Sequence, residues 1–322
     1  MREPKKFATY EQQIAHLRQK GLFISDTPTA VQRLQEYGYY PLVSAYKSIF
    51  LERKNGKYVD GTAFEHIESL YYFDESLRSL FLMNILYIEN KLKSLYSYSF
   101  CELFGGYQAD YLNEENYNYN CLKYQGEIDR LLSKLRHKIN LPKEEYLKYN
   151  FQEYGEIPLW VLMRVLTFGT SSKMIEVARP ELRNAVAQAW GSDEIYEKQL
   201  VKMLKVLTYF RNVCAHGERL YNYKIQGSIL DMKIHQDLEI ASSGSMYKQG
   251  KSDVFAVMIC FRYLLSPMRL LIFENAFFKT MSTLRKDIPP HVYNQVEKEM
   301  GLPYNWRRLF PWTEEYAAKM VD

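Results

Sequence analysis

Cysteine is scarce: there are four in 322 residues, at positions 101, 121, 214 and 260, and none form a C-x-x-C pair. That spacing argues against a disulfide framework and favours a reducing, cytoplasmic setting. A Gly-rich phosphate loop of the P-loop or dinucleotide type is missing, so nucleotide hydrolysis is not expected. Long uninterrupted apolar runs are also missing. The most apolar stretch, residues 254–278, is broken by Arg262, Pro267, Arg269 and Glu274. It reads as a buried helix pair, not a membrane span. The opening MREPKKFATYEQQ is polar and lacks a secretory pattern. Net charge is only +4, from 42 basic and 38 acidic residues. This balance permits a nucleic-acid partner without demanding one. No internal repeat or clear linker is evident, and nothing in the chain calls for a cofactor.

What is present is helical periodicity over a 47% hydrophobic chain. Thr9 with Gln12 makes a capping-box pattern, Gly21 stops that helix, and Pro28 and Gly38 bracket the next. Residues 54–61 are turn-rich. From Thr62 to Phe104 apolar residues step by three and four, which suggests two helices or one long bent one. Residues 105–121 read as a mobile surface loop whose tyrosines could alternatively stack on bases. Leu122 to Ile139 is a helix with a basic face of Arg130, Lys134, Arg136, His137 and Lys138, which either tracks RNA backbone or is simply solvated. A helix then runs from Pro158 to about Phe168, with Trp160 and Phe168 assigned to the core. Ser192-Asp193 looks like the cap of the next helix. Residues 224–252 read as a long loop with a possible short strand pair, followed by an Asp253 cap, the apolar helix pair, an amphipathic helix over 289–300 and a short helical tail from Pro303 to Val321. The fold class is all-α, a bundle of roughly ten helices. Tyrosine is common, at 28. Such rings line a helical core with hydroxyls at its edge, or stack on bases.

One stretch concentrates chemistry. The helical run from Tyr196 to Phe210 delivers Arg211, Asn212 and His216 at its end, then Gly217-Glu218-Arg219. Arginine is permanently charged and offers a planar fork suited to phosphate. Histidine can take and give a proton near neutral pH. Together they suffice to cleave RNA without a metal: a base deprotonates a ribose 2′-OH, its oxygen attacks the adjacent phosphate, and a cation stabilises the transition state. At ~100° per residue, Asn212 and His216 share a helix face, whereas Arg211 and His216 lie ~140° apart. Either the helix loosens near Gly217 or the site draws on two helices, which suggests two copies across a two-fold axis. The bland alternative is a structural ion pair or a C-terminal capping histidine. Cys214 and His216 as metal ligands have no second pair to complete the site.

The segment resembles the Arg-polar-x(3–5)-His motif of the HEPN superfamily of helical ribonucleases. Arg130…His137 and Arg285…His291 also fit loosely, but Leu131 replaces the polar residue in the first, and Pro289 and Pro290 disrupt the helix in the second. More closely, RNVCAHGERLYNY resembles the hallmark block of the Abi family, the phage abortive-infection proteins of the AbiD and AbiF type. Three further blocks carry the likeness: EQQIAHLRQKGLFI with EYGYYPLVSAY, LYYFDESLRSLFLMNILYIENKLKS, and PLWVLMRVLTFGTSSKM. GLPYNWRRLF looks like a family C-terminal signature.

The resemblance implies a HEPN-like core over residues 62–223, with the helices of 1–61 packed on it and a loop and further helices over 224–322, all one compact unit. It implies a metal-independent endoribonuclease toxin of anti-phage defence, active as a homodimer and restrained by a cognate RNA or protein antitoxin. Arg211, His216 and Asn212 would be catalytic. Arg78 and Glu89 match its LR and IE positions; Glu89 would orient Arg211 or His216, or else make an ordinary salt bridge within the bundle. Arg219, Arg130, Lys134 and Lys138 would contact RNA. The alternative is a non-catalytic helical module that binds RNA or protein through the same basic cleft.

Overall fold

The computed structural model describes residues 7–191, 194–244 and 246–310. Local signals set the N-terminal helices. Gln12 donates its N–H to the Thr9 hydroxyl at 3.4 Å, and Thr9 donates to the Gln12 side chain at 2.9 Å, so α1 (Tyr10–Gln19) starts in a reciprocal cap. Asp26 caps α2 (Thr27–Tyr37) through the N–H of Thr29. A π-turn (Tyr40–Ser44) and a 3-10 turn (Lys47–Phe50) follow.

The axis of the molecule is α3 (Phe64–Phe104), a single helix of 41 residues where the spacing also allowed two. At 1.5 Å per residue it is ~60 Å long. It contains no glycine or proline, so nothing breaks its hydrogen-bond ladder until Gly105.

Shorter helices wrap it: α4 (Gln108–Leu112), α5 (Leu122–Asn140), α6 (Glu145–Tyr154), α7 (Leu159–Leu162), α8 (Phe168–Val177), α9 (Pro180–Ala189) and α10 (Glu197–Ala215). Then come α11 (Lys233–Asp237), α12 (Val254–Leu264), α13 (Pro267–Asp287) and α14 (Pro290–Glu299). The fold is all-α. Among the described residues the only ladder joins Ser242–Ser243 to Met246–Tyr247, inside the long loop.

Several expectations change in detail. The 105–121 segment is not a free loop. Tyr111 and Tyr117 are buried, and their hydroxyls donate to the carbonyls of Ile157 and Tyr111 at 2.6 and 2.8 Å. The helix expected from Pro158 to Phe168 is the four-residue α7 plus a 3-10 turn, Met163–Val165. Leu159 and Leu162 take the inward side of α7, so Trp160, assigned to the core, stands 55% exposed, while Phe168 is buried at the start of α8. The expected Ser192-Asp193 cap lies outside the described residues, as does the tail beyond residue 310. The side chain of Gln199 instead accepts the N–H of Tyr196 at the start of α10.

One hydrophobic cluster runs from Ile14 to Phe310. In it α13 lies along α3, with the rings of Phe273 and Phe277 5.5 and 6.4 Å from Phe81. Each such buried side chain contributes about 1.5–3 kcal/mol. α10 is enclosed by α3, α8, α9 and α12. The carbonyl of Trp190, just before α10, accepts from Lys91; that of Glu218, just after it, accepts from Arg78. α10 therefore runs back along α3 and delivers its C-terminus beside Arg78. No described helix is long and apolar enough to cross a membrane.

Candidate active site

The end of α10 is closed by its glycine. Gly217 adopts φ +68°, its N–H points to the carbonyl of Cys214, and Glu218 donates to the carbonyl of Val213 at 3.1 Å. This pair of bonds is the Schellman arrangement, and glycine suits it because a Cβ disfavours that conformation. His216 is the capping residue, its N–H donated to the carbonyl of Asn212 at 2.9 Å.

The chain beyond the turn is clamped to α3. Asp74 is fully buried and accepts from the N–H groups of Leu220 (3.0 Å) and Tyr221 (2.7 Å), the hydroxyl of Tyr46 (2.8 Å) and the guanidinium of Arg78 (2.6 Å). Burial pushes the pKa of its carboxyl up, and these donors pull against that. Arg78 also reaches the carbonyl of Glu218 at 3.5 Å and the oxygen of Tyr46 at 3.2 Å. Arg219 donates to the carbonyl of Ala45 and lies 5.9 Å from the ring of Tyr221. Three stretches far apart in sequence thus meet around Asp74: residues 45–46, 74–78 and 218–221. Asp74 was not singled out from the sequence. The signal available was its position four before Arg78 on one helical face.

This clamp leaves the side chains at the turn in solvent. His216 and Asn212 are exposed and Arg211 is half-buried. The imidazole of His216 hydrogen-bonds to no described residue. The Nε of Arg211 is buried without a hydrogen-bond partner, and no described carboxylate forms an ion pair with this guanidinium. Cys214 is different. It is buried, burial pushes its thiol up to about 12, and it stays protonated at neutral pH. Two residues apart on the helix, Cys214 and His216 face ~200° away from each other, which does not suit a shared metal.

A family model described as Abi-like protein matches residues 32–222. The chain belongs to the Abi-like family. No curated protein and no solved structure matches it. The Abi-like match includes Tyr46, Asp74, Arg78, Arg211, His216 and Tyr221, so the clamp and the turn both lie inside the family region.

The remaining sequence-derived residues fall in three places. Glu89 is buried on α3 and pairs with Lys93 at 2.7 Å, the salt bridge that was its second reading. Arg78 acts inside the clamp. Arg130 and Lys134 on α5 line a cleft of about 370 Å³ with Thr167, Gly169 and Lys173. Lys173 is neutralised there by Glu127 and Glu176, at 3.1 and 2.6 Å. Lys138 is on the same helix, half-buried and outside that lining. A second cleft of about 220 Å³ shares Gly169 and Lys173 and reaches Lys205, Thr208 and Tyr209 on α10. From there Lys205, Tyr209, Asn212 and His216, all exposed, follow steps of four, three and four along one stripe.

Proposed function

We propose that this Abi-like protein is a metal-independent endoribonuclease of HEPN type, acting as a toxin in abortive-infection defence. The observation that carries the reading is a half-buried Arg211, unpaired among the described residues, on the last turns of α10 and a solvent-facing His216 at its cap, on a chain end fixed by a buried clamp. Preorganised donors of this kind stabilise developing charge without reorganising during the reaction. His216 takes the proton of the ribose 2′-OH, the 2′-oxygen attacks the phosphorus as the P–O5′ bond breaks, and the 5′-oxygen leaves as a hydroxyl with a proton from the imidazolium or from water, while Arg211 stabilises the phosphate and Asn212, on the face of His216, steadies it. Arg78 is a positioning residue through Glu218. Arg130 and Lys134 in the first cleft, and Lys138 on the same helix, contribute contacts to the RNA backbone, and the stripe on α10 leads from the adjoining cleft to His216. The ~140° between Arg211 and His216 supports a site completed by a second copy, so a homodimer is part of the proposal. A cognate RNA or protein antitoxin would then act by covering the turn.

The same angular separation favours a second reading within one chain, a module that grips RNA or a protein partner without cutting. Labelled RNA incubated with the full chain in EDTA distinguishes them. The nuclease cuts, and Arg211→Ala and His216→Ala abolish the cut. Intact RNA with wild type, bound more weakly by Arg211→Ala, supports the module instead.

A further inference from the structure

Away from the turn, α3, α6 and α7 enclose a groove of about 550 Å³, larger than either basic cleft. Trp160, Tyr146, Asn90, Ser94 and Arg164 are among the residues that line it. Trp160 is 55% exposed and Tyr146 40%. Two large rings in the lining of one groove leave aromatic faces open to a ligand. Arg164 is exposed, forms no ion pair with a described residue, and its guanidinium lies 5.8 Å from the centre of the Tyr146 ring. Lys93, also in the lining, is occupied by Glu89. Among the described residues no carboxylate lines the groove.

We infer that this groove is a stacking site for unpaired bases of single-stranded RNA. Flat aromatic faces take any base, the guanidinium of Arg164 takes the accompanying phosphate, and the amide and hydroxyls of the lining meet base edges. The missing acidic lining and the free arginine suit a polyanion more than an apolar peptide. Paired bases cannot enter, because their faces are already stacked. Position supports the assignment. Asn90 lies twelve residues beyond Arg78 on the unbroken α3, ~18 Å along its axis. It also lies ~120° round α3 from Arg78, so a strand held here reaches the α10 turn by passing round that helix. The inference rests on the RNA reading above and adds the class of RNA that is held.

Fluorescence anisotropy tests it, using a short labelled single-stranded RNA and the full chain carrying His216→Ala so that the probe is not cut. On that background Trp160→Ala and Arg164→Ala each weaken binding about tenfold or more, while Trp160→Phe retains most of it. A duplex of the same sequence shows no dependence on Trp160. Thermal melts check that the variants stay folded, as the exposure of both side chains implies. Unchanged single-strand affinity in folded Trp160→Ala overturns the inference, as does a folded parent that binds no RNA. Cleavage by wild type with Trp160-independent binding removes the groove and leaves the nuclease. Trp160-dependent binding with no cleavage by wild type does the reverse.

Discussion

The carboxylate of Asp74 accepts the N–H of Tyr221 at 2.7 Å, across 147 positions of sequence, and so fixes the chain five residues beyond His216. With Arg78 it forms a buried pair that also holds Leu220 and Glu218. Removing one partner of such a pair strands the other charge and costs about 3–5 kcal/mol. We expect Asp74→Ala to lose that much in urea unfolding and to lose RNA cleavage with it. An unchanged unfolding midpoint would show that the clamp holds nothing.

Gly217 sits at φ +68°, and a Cβ there would meet no atom within 4 Å. Gly217→Ala should therefore cost backbone strain alone, about 1–2 kcal/mol, with a melting temperature a few degrees lower. Gly217→Asn should cost less, since asparagine tolerates this conformation, and Gly217→Val more. Equal melting temperatures for all three would contradict the Schellman turn.

Glu274 is buried on α13 with one carboxyl oxygen unpartnered, and burial raises its pKa to about 7. The folded state binds this proton more tightly than the unfolded chain. Its contribution to stability is therefore complete below about pH 4.5 and is lost as pH rises through about 7. Glu274→Gln should flatten that slope and gain about 1–3 kcal/mol at about pH 8, read from urea midpoints at both ends. A variant less stable than wild type at the alkaline end would refute the assignment.

The Cys214 thiol, buried and held protonated, should resist alkylation in the native protein, whereas the half-buried Cys101 and Cys121 react first. Cys214→Ala should cleave RNA at the wild-type rate while losing about 1–2 kcal/mol of packing. Loss of cleavage in a folded Cys214→Ala protein would bring the thiol back into the chemistry.

What the sequence discloses is what neighbours decide. The Thr9–Gln12 cap, the stop at Gly21 and the Asp253 cap each depend on residues within a few positions, and all three are present. The apolar steps along residues 64–104 identify α3 because one face of it is buried throughout. The Glu89–Lys93 pair is a one-turn spacing. The clamping role of Asp74 is hidden because its backbone partners, Leu220 and Tyr221, lie 146 and 147 positions away, and no periodicity reports a contact of that range. Trp160 was misplaced for another reason. The helix that holds it is only four residues long, and Leu159 and Leu162 take its inward side.

The ends left on cut RNA test the central claim most directly. Attack by the 2′-OH leaves a 2′,3′-cyclic phosphate on one fragment and a 5′-hydroxyl on the other, and mass spectrometry of the products reads both. We expect those ends from the wild type in EDTA, none from His216→Ala, and no cut where a single 2′-deoxy nucleotide replaces the cleavage site. Fragments carrying 5′-phosphates, or the same fragments from His216→Ala, would contradict it.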